Sequence, residues 1–224
     1  MLNVSKVPSK GGMKKETLDP GVYPGRVVQL IDLGLQEQRE FQGKEKPPVN
    51  EVMVTYELTD EFMFNEAGEP LPDKPRFISE TFAFHSINAE RAKSTARYNA
   101  LDPTNAYSGD FTKLLGAPCN ITIVVNQGRG KNAGKEYENV AGIAAMRQKD
   151  IDKLPALVNP TRVFDLDDPD IKVFHGLSEW VQEKIKKNLN YNGSKLQELL
   201  KEKPVVAEDD KQVEPTDTPD ERPY

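Results

Sequence analysis

Between positions 21 and 146 apolar and polar residues alternate in short runs, and only outside those runs does a helical spacing take over. The clearest alternation covers 50–58, where Val52, Val54, Tyr56 and Leu58 fall on one face and Met53, Thr55 and Glu57 on the other, the pattern of a half-buried strand. Before it, 21–35 (GVYPGRVVQLIDLGL) reads as a long first strand, with Gly25 and Gly34 at places where such a strand can bend or bulge. Further strands are predicted over 76–84 (RFISETFAF), 119–125 (CNITIVV) and 137–146 (YENVAGIAAM), while the breakers of 65–75 separate the second strand from the third. Helix formers follow a capping Asn88 over 88–101, and 110–115 suggests a short turn. Near the end, Trp180, Val181, Ile185 and Leu189 share a stripe over 177–191, Asn192-Gly193 closes it, and KLQELLKEK adds a further turn or two.

Strand, loop, two strands, helix, strand, hairpin, strand is the element order of an OB-fold. The expected fold class is therefore mainly β with some α: a five-stranded Greek-key barrel, a helix between strands 3 and 4, and a helical appendage. The domain plan is a basic arm over 1–18 carrying Lys6, Lys10, Lys14 and Lys15, the OB domain over 19–149, the appendage over 150–203, and a solvated acidic tail over 204–224. In that tail Glu208, Asp209, Asp210, Glu214, Asp217, Asp220 and Glu221 oppose Lys211 and Arg222, so it holds −5 of the chain's −6, with four prolines and an aromatic only at Tyr224. Such a composition buries too little apolar surface to offset the entropy of folding.

Charge sharpens the expectation. In an OB-fold the loops joining strands 1–2 and 4–5 flank the oligonucleotide face of strands 2 and 3. Here the 36–50 loop carries Arg39, Lys44 and Lys46 around Phe41, and the 126–136 hairpin carries Arg129, Lys131 and Lys135 before Tyr137. Arg76 opens the third strand, whose aromatics divide between its two faces: Phe77 on one, Phe82 and Phe84 on the other. One set would pack inward and the other could stack bases; the spacing leaves open which.

Other chemistries find little support. Gly128–Lys135 has neither the spacing nor the following Ser or Thr of a phosphate loop. The cluster of Asp165, Asp167, Asp168 and Asp170 lacks the glycine and distal glutamate of an EF-hand and reads as a solvated lead-in to a helix. A lone Cys119 excludes an internal disulfide framework and a thiolate zinc site, and His85 and His175 have no partner at a diagnostic spacing. No enzyme activity, metal or cofactor is expected. No apolar run approaches a membrane span, and a cytoplasmic location is expected.

The pattern from GVYPGRVVQL to YENVAGIAAM, followed by an acidic tail ending DERPY, resembles the single-stranded DNA-binding proteins of tailed phages. That resemblance implies largely sequence-independent binding of single-stranded DNA in phage replication and recombination, inside an infected bacterial host. It also implies a tail that competes with DNA and recruits partner proteins through its acids and Tyr224. The alternative is an OB-fold adaptor of a replication or recombination complex that does not touch DNA.

Overall fold

A computed structural model describes residues 17–201. The acidic tail expected over 204–224 lies outside the described residues, as does the expected basic arm except for its last two positions. Leu18 belongs to the folded domain: it is buried in the main core, and its N–H donates to Glu138 Oε1 at 2.7 Å.

The sheet is built from β1 (Gly21–Gln36), β2 (Val49–Phe64), β3 (Pro70–Ala83), β4 (Pro118–Gln127), β5 (Glu136–Ala145) and β6 (Arg162–Phe164). Its order is β3-β2-β1-β4-β5, antiparallel throughout, with β6 added in parallel on β1. Among the described residues five α-helices accompany it: α1 (Lys93–Leu101), α2 (Gln148–Ile151), α3 (Ile171–His175), α4 (Glu179–Lys186) and α5 (Lys195–Lys201). The barrel expected from the element order is not closed. β3 and β5, the two ends of the strand order, approach each other, and the paired side chains of Arg76 and Glu138 bridge them.

β1 organises the molecule because its two halves serve different partners. One edge pairs β2 from Gly25 to Gln36; the other takes β4 over Gly21–Arg26 and then β6 over Gln29–Ile31. Register shifts at Val28 and Leu33 mark two bulges. Because strand side chains alternate faces, one extra residue reverses the parity. Val27 and Leu30 therefore both enter the main core, while Ile31 and Leu33 enter a second core on the opposite face. Gly34 (φ +77°) completes the second bulge in the left-handed region where glycine is favoured. At Gly25 a Cβ would lie 2.7 Å from the Glu57 carbonyl oxygen, so only glycine lets β2 approach so closely.

The main core joins Val52, Val54, Tyr56, Ile78, Phe82, Ile121 and Ile123 of the sheet to Tyr98 and Leu101 of α1. A buried carboxylate, Glu80, locks the helix onto the sheet. It accepts two bonds from Arg97 (2.8 and 3.0 Å), one from the Tyr56 hydroxyl (2.9 Å), and pairs with Lys93 at 2.8 Å. Burial and then the Glu80 charge hold the Tyr56 hydroxyl well above its ordinary pKa.

The second core packs Phe164, Phe174, Val181, Ile185 and Leu196 onto Ile31, Leu33 and Met53. The appendage expected over 150–203 is thus laid along the outer face of the sheet. Polar ties fasten it there. Glu57, 1% exposed, accepts from the Val158 N–H (2.7 Å), the Asn159 N–H (3.1 Å) and Asn159 Nδ2 (2.8 Å). Arg26 Nε donates to the Pro155 carbonyl at 2.9 Å, Lys184 pairs with Glu51 at 2.6 Å, and the Leu189 N–H donates to the Leu35 carbonyl at 2.8 Å.

Four local expectations change. The hairpin of β2 and β3 runs on to Phe64↔Pro70, so 70–75 is strand rather than loop; β3 is an edge strand, where Pro70, Pro72 and Pro75 are tolerated. The helix starts at Lys93, not at Asn88, because Ser94 and Thr95 of its first turn are bonded back to residues 85 and 86. β6, three residues long, was not expected at all. Leu189, placed on the apolar stripe of 177–191, falls beyond the end of α4 and is exposed. Asp170 does lead in a helix: its carboxylate caps α3 by accepting from the N–H groups of Lys172 and Val173.

Candidate nucleic-acid interface

The loop joining β1 to β2 is a second, smaller hairpin. Phe41 and Lys44 exchange backbone bonds (2.9 and 3.1 Å) around Gln42 and Gly43, both at positive φ, the geometry of a tight primed turn. This turn holds the Phe41 ring in solvent at 58% exposure, with Lys46 Nζ 4.6 Å from the ring centroid. Arg39, Lys44 and Lys46 are exposed around it, as are Glu37, Glu40 and Glu45, so the loop is neutral as a whole and the positive charge at the ring is that of Lys46. A large aromatic displayed in solvent with a cation against it contributes nothing to the core. It offers a flat face and positive charge together, which is the chemistry that holds a base and its phosphate.

The hairpin between β4 and β5 is compact. Gly128 N–H donates to the Lys135 carbonyl (2.8 Å), and a 3-10 turn over Gly130–Asn132 is fastened by bonds from Asn132 to Arg129 and from Lys135 to Asn132 (3.1 Å each). A Cβ at Gly128 would meet the Asn132 carbonyl oxygen at 2.1 Å and the Tyr137 ring at 3.0 Å, so the glycine is what allows this fold-back. Arg129, Lys131 and Lys135 are exposed on it, and Tyr137 is half-buried at its base. By register this hairpin extends beyond the Gly21 end of β1, whereas the Phe41 hairpin leaves the Gln36 end. A ligand touching both must follow the length of β1.

On β3 the structure separates the aromatics. Phe82 is buried in the main core and cannot stack a base. Arg76, also expected in the groove, is 3% exposed and pairs with Glu138 at 2.7 Å. Both point inward because alternation carries Arg76, Ile78, Glu80 and Phe82 to one face. Phe77 lies on the outer face, half-buried, and Phe84 emerges just past the end of β3 at 39% exposure. The Phe84 N–H donates to the Asn50 carbonyl at 2.6 Å, which sets this ring beside the end of the Phe41 loop. Its edge rests on Phe111 (centroids 4.9 Å apart, 70° between planes), which in turn packs on Tyr98. Phe111 was not singled out from the sequence; the only signal was its place in the turn that Asp110 caps.

The outer face of β2, expected to serve the ligand, is covered instead. Met53, Thr55 and Glu57 are all buried beneath the C-terminal segment. What stays accessible is the strip along β3, the Phe41 hairpin and the basic hairpin between β4 and β5. The acidic residues and Tyr224 assigned to partner binding lie outside the described residues.

Among the described residues no three His, Cys, Asp or Glu side chains come together in a metal-holding group. Burial pushes the Cys119 thiol up to about 12, which keeps it protonated. None of the described helices is long and apolar enough to cross a membrane. Comparison of the chain with protein-family models, with curated proteins and with solved structures finds no match in any of the three.

Proposed function

We propose that this protein binds single-stranded DNA, with little sequence preference and without catalysing a reaction. The observation that carries this reading is the Phe41 ring, held in solvent by a tight turn with Lys46 against it and Arg39 and Lys44 alongside. The backbone would run from these cations toward Arg129, Lys131 and Lys135, with bases stacking on Phe41, Phe84, Tyr137 and Phe77. Stacking accepts any base, so sequence preference is weak. Arg76 and Phe82 take no part, being buried. In support, the order β3-β2-β1-β4-β5 with α1 between β3 and β4 is compatible with an OB-like sheet that stops short of closure.

We further place the protein in phage DNA replication and recombination, on the resemblance of its sequence pattern, with residues 204–224 as an acidic arm that competes with DNA and engages partner proteins. Fluorescence anisotropy with a labelled dT oligonucleotide at several salt concentrations tests the binding. Lys131→Glu with Lys135→Glu should weaken it more than tenfold, and affinity should fall with salt at a slope of about −0.7 per contacted phosphate. A flat salt dependence, or no binding, would sink this reading and leave the adaptor role in its place.

A further inference from the structure

Between the outer face of the sheet and the segment joining α3 to α4 lies a cleft with about 40 Å³ of room, partly open to solvent. Gln29, Thr55 and Ser79 form its polar floor, Met53 its apolar base, and Arg162 and Trp180 its wall. The Trp180 Nε1–H is buried and has no acceptor in the protein. An indole N–H can only donate, and a buried donor without a partner is costly. Arg162 brings a guanidinium, of which Nη1 donates to the Gly176 carbonyl at 3.2 Å. The hydroxyls of Thr55 and Ser79 bond each other at 2.9 Å. None of the residues lining the cleft is acidic.

An indole, a guanidinium, a side-chain amide and three hydroxyls (Thr55, Ser79 and Ser178) without a carboxylate call for a planar group rich in acceptor oxygens. A room of about 40 Å³ admits only the edge of a base, and a nucleotide unit offers both parts: a base carbonyl for the Trp180 N–H inside the cleft and a phosphodiester for Arg162 at its open side. The cleft also lies on the route of a strand. Ser79 stands two residues from Phe77 on the same outer face of β3, so a chain of bases crossing Phe77 reaches the cleft next. We infer that Trp180 and Arg162 form a nucleotide slot of the single-strand interface, in which the C-terminal segment supplies one wall and the sheet the floor. The slot rests on the DNA-binding reading above and adds to it the only tryptophan in the chain.

That single tryptophan makes the test direct. The full chain is titrated with a dT oligonucleotide, with dTMP and with inorganic phosphate, following Trp180 emission and, separately, anisotropy of labelled dT. Emission should change saturably with the oligonucleotide, along the anisotropy isotherm, at concentrations where dTMP and phosphate have no effect. Trp180→Phe keeps a ring but removes the N–H donor, and should weaken dT binding roughly 2- to 12-fold, the range of one lost hydrogen bond. Arg162→Ala should reduce the salt slope by about 0.7, the signature of one phosphate contact, which a merely structural role would not alter. If dT binds with normal salt dependence while wild-type emission stays constant and Arg162→Ala keeps its slope, the slot is wrong and DNA binding stands. An equal response to dTMP or phosphate overturns the strand-bound slot in favour of a small-anion site. Absence of any dT binding overturns both readings.

Discussion

Removing the carboxylate that bridges β3 and β5 should cost more than any surface substitution. Glu138 Oε1 accepts from Arg76 Nη2 at 2.7 Å and from the Leu18 N–H at 2.7 Å, while Arg76 itself is 3% exposed and its Nε has no acceptor. Glu138→Ala removes the guanidinium's hydrogen-bonded partner and leaves it the Glu61 charge, so the cost should be below the roughly 3–5 kcal/mol of a fully uncompensated buried charge, and it orphans the Leu18 N–H for about 1 kcal/mol more. A chain of this size loses about 2–4 °C of melting temperature per kcal/mol, so the drop should be unmistakable. Urea denaturation followed by far-UV circular dichroism measures it. Combining Glu138→Leu with Arg76→Met should recover most of the loss, because an apolar pair of similar volume strands no charge. Arg76→Met alone should leave the salt slope of DNA binding as it was. Were Glu138→Ala to cost less than about 1 kcal/mol, or Arg76→Met to lower the slope by a full contact, the bridge would be misread and Arg76 would face the ligand.

Two further outcomes are expected. Phe41→Ala should weaken dT binding by about 1–3 kcal/mol with an unchanged melting temperature, since the ring stands in solvent; a large melting shift with intact affinity would show it to be packing. Cys119, with its thiol pushed from 9.0 up to about 12, should make stability fall as pH rises from about 9 toward 12, because the unfolded chain releases that proton first. The slope, up to about 1.4 kcal/mol per pH unit, should disappear from the difference between wild type and Cys119→Ala measured by denaturation at each pH.

Much of the sheet was legible because alternation holds over 50–58 and along the second half of β3. Val52, Val54, Tyr56 and Leu58 do share the main core, and Gly25 and Gly34 do sit where β1 is tightly approached and bulged. Alternation also placed Phe77 opposite Phe82, but period two cannot say which face is inside; Glu80, bonded to α1, decides it only once the helix is in place. Arg76 could not be told from an exposed cation, since its partner Glu138 lies 62 residues away. Nor could the sequence reveal that Met53, Thr55 and Glu57 are covered. Their polar and apolar mix is that of a solvated face, and the segment that buries them shows an apolar stripe, of which Val181 and Ile185 enter the second core, but nothing in that stripe says which surface it covers.

The parallel pairing of β6 with β1 has a consequence in time. Gln29 meets Arg162 about 130 residues later in the chain. At a synthesis rate of about 5–20 residues per second, β1 leaves the ribosome roughly 7 to 27 s before its parallel partner. Over that interval Ile31, Leu33 and Met53 face water with nothing to cover them, because every other member of their core is still to be made. Such long-range pairing also makes folding intrinsically slow. Whatever of β1 and β2 pairs in that interval does so with the Ile31, Leu33 and Met53 face uncovered, and transiently bare apolar surface of this kind is where aggregation of a nascent chain begins.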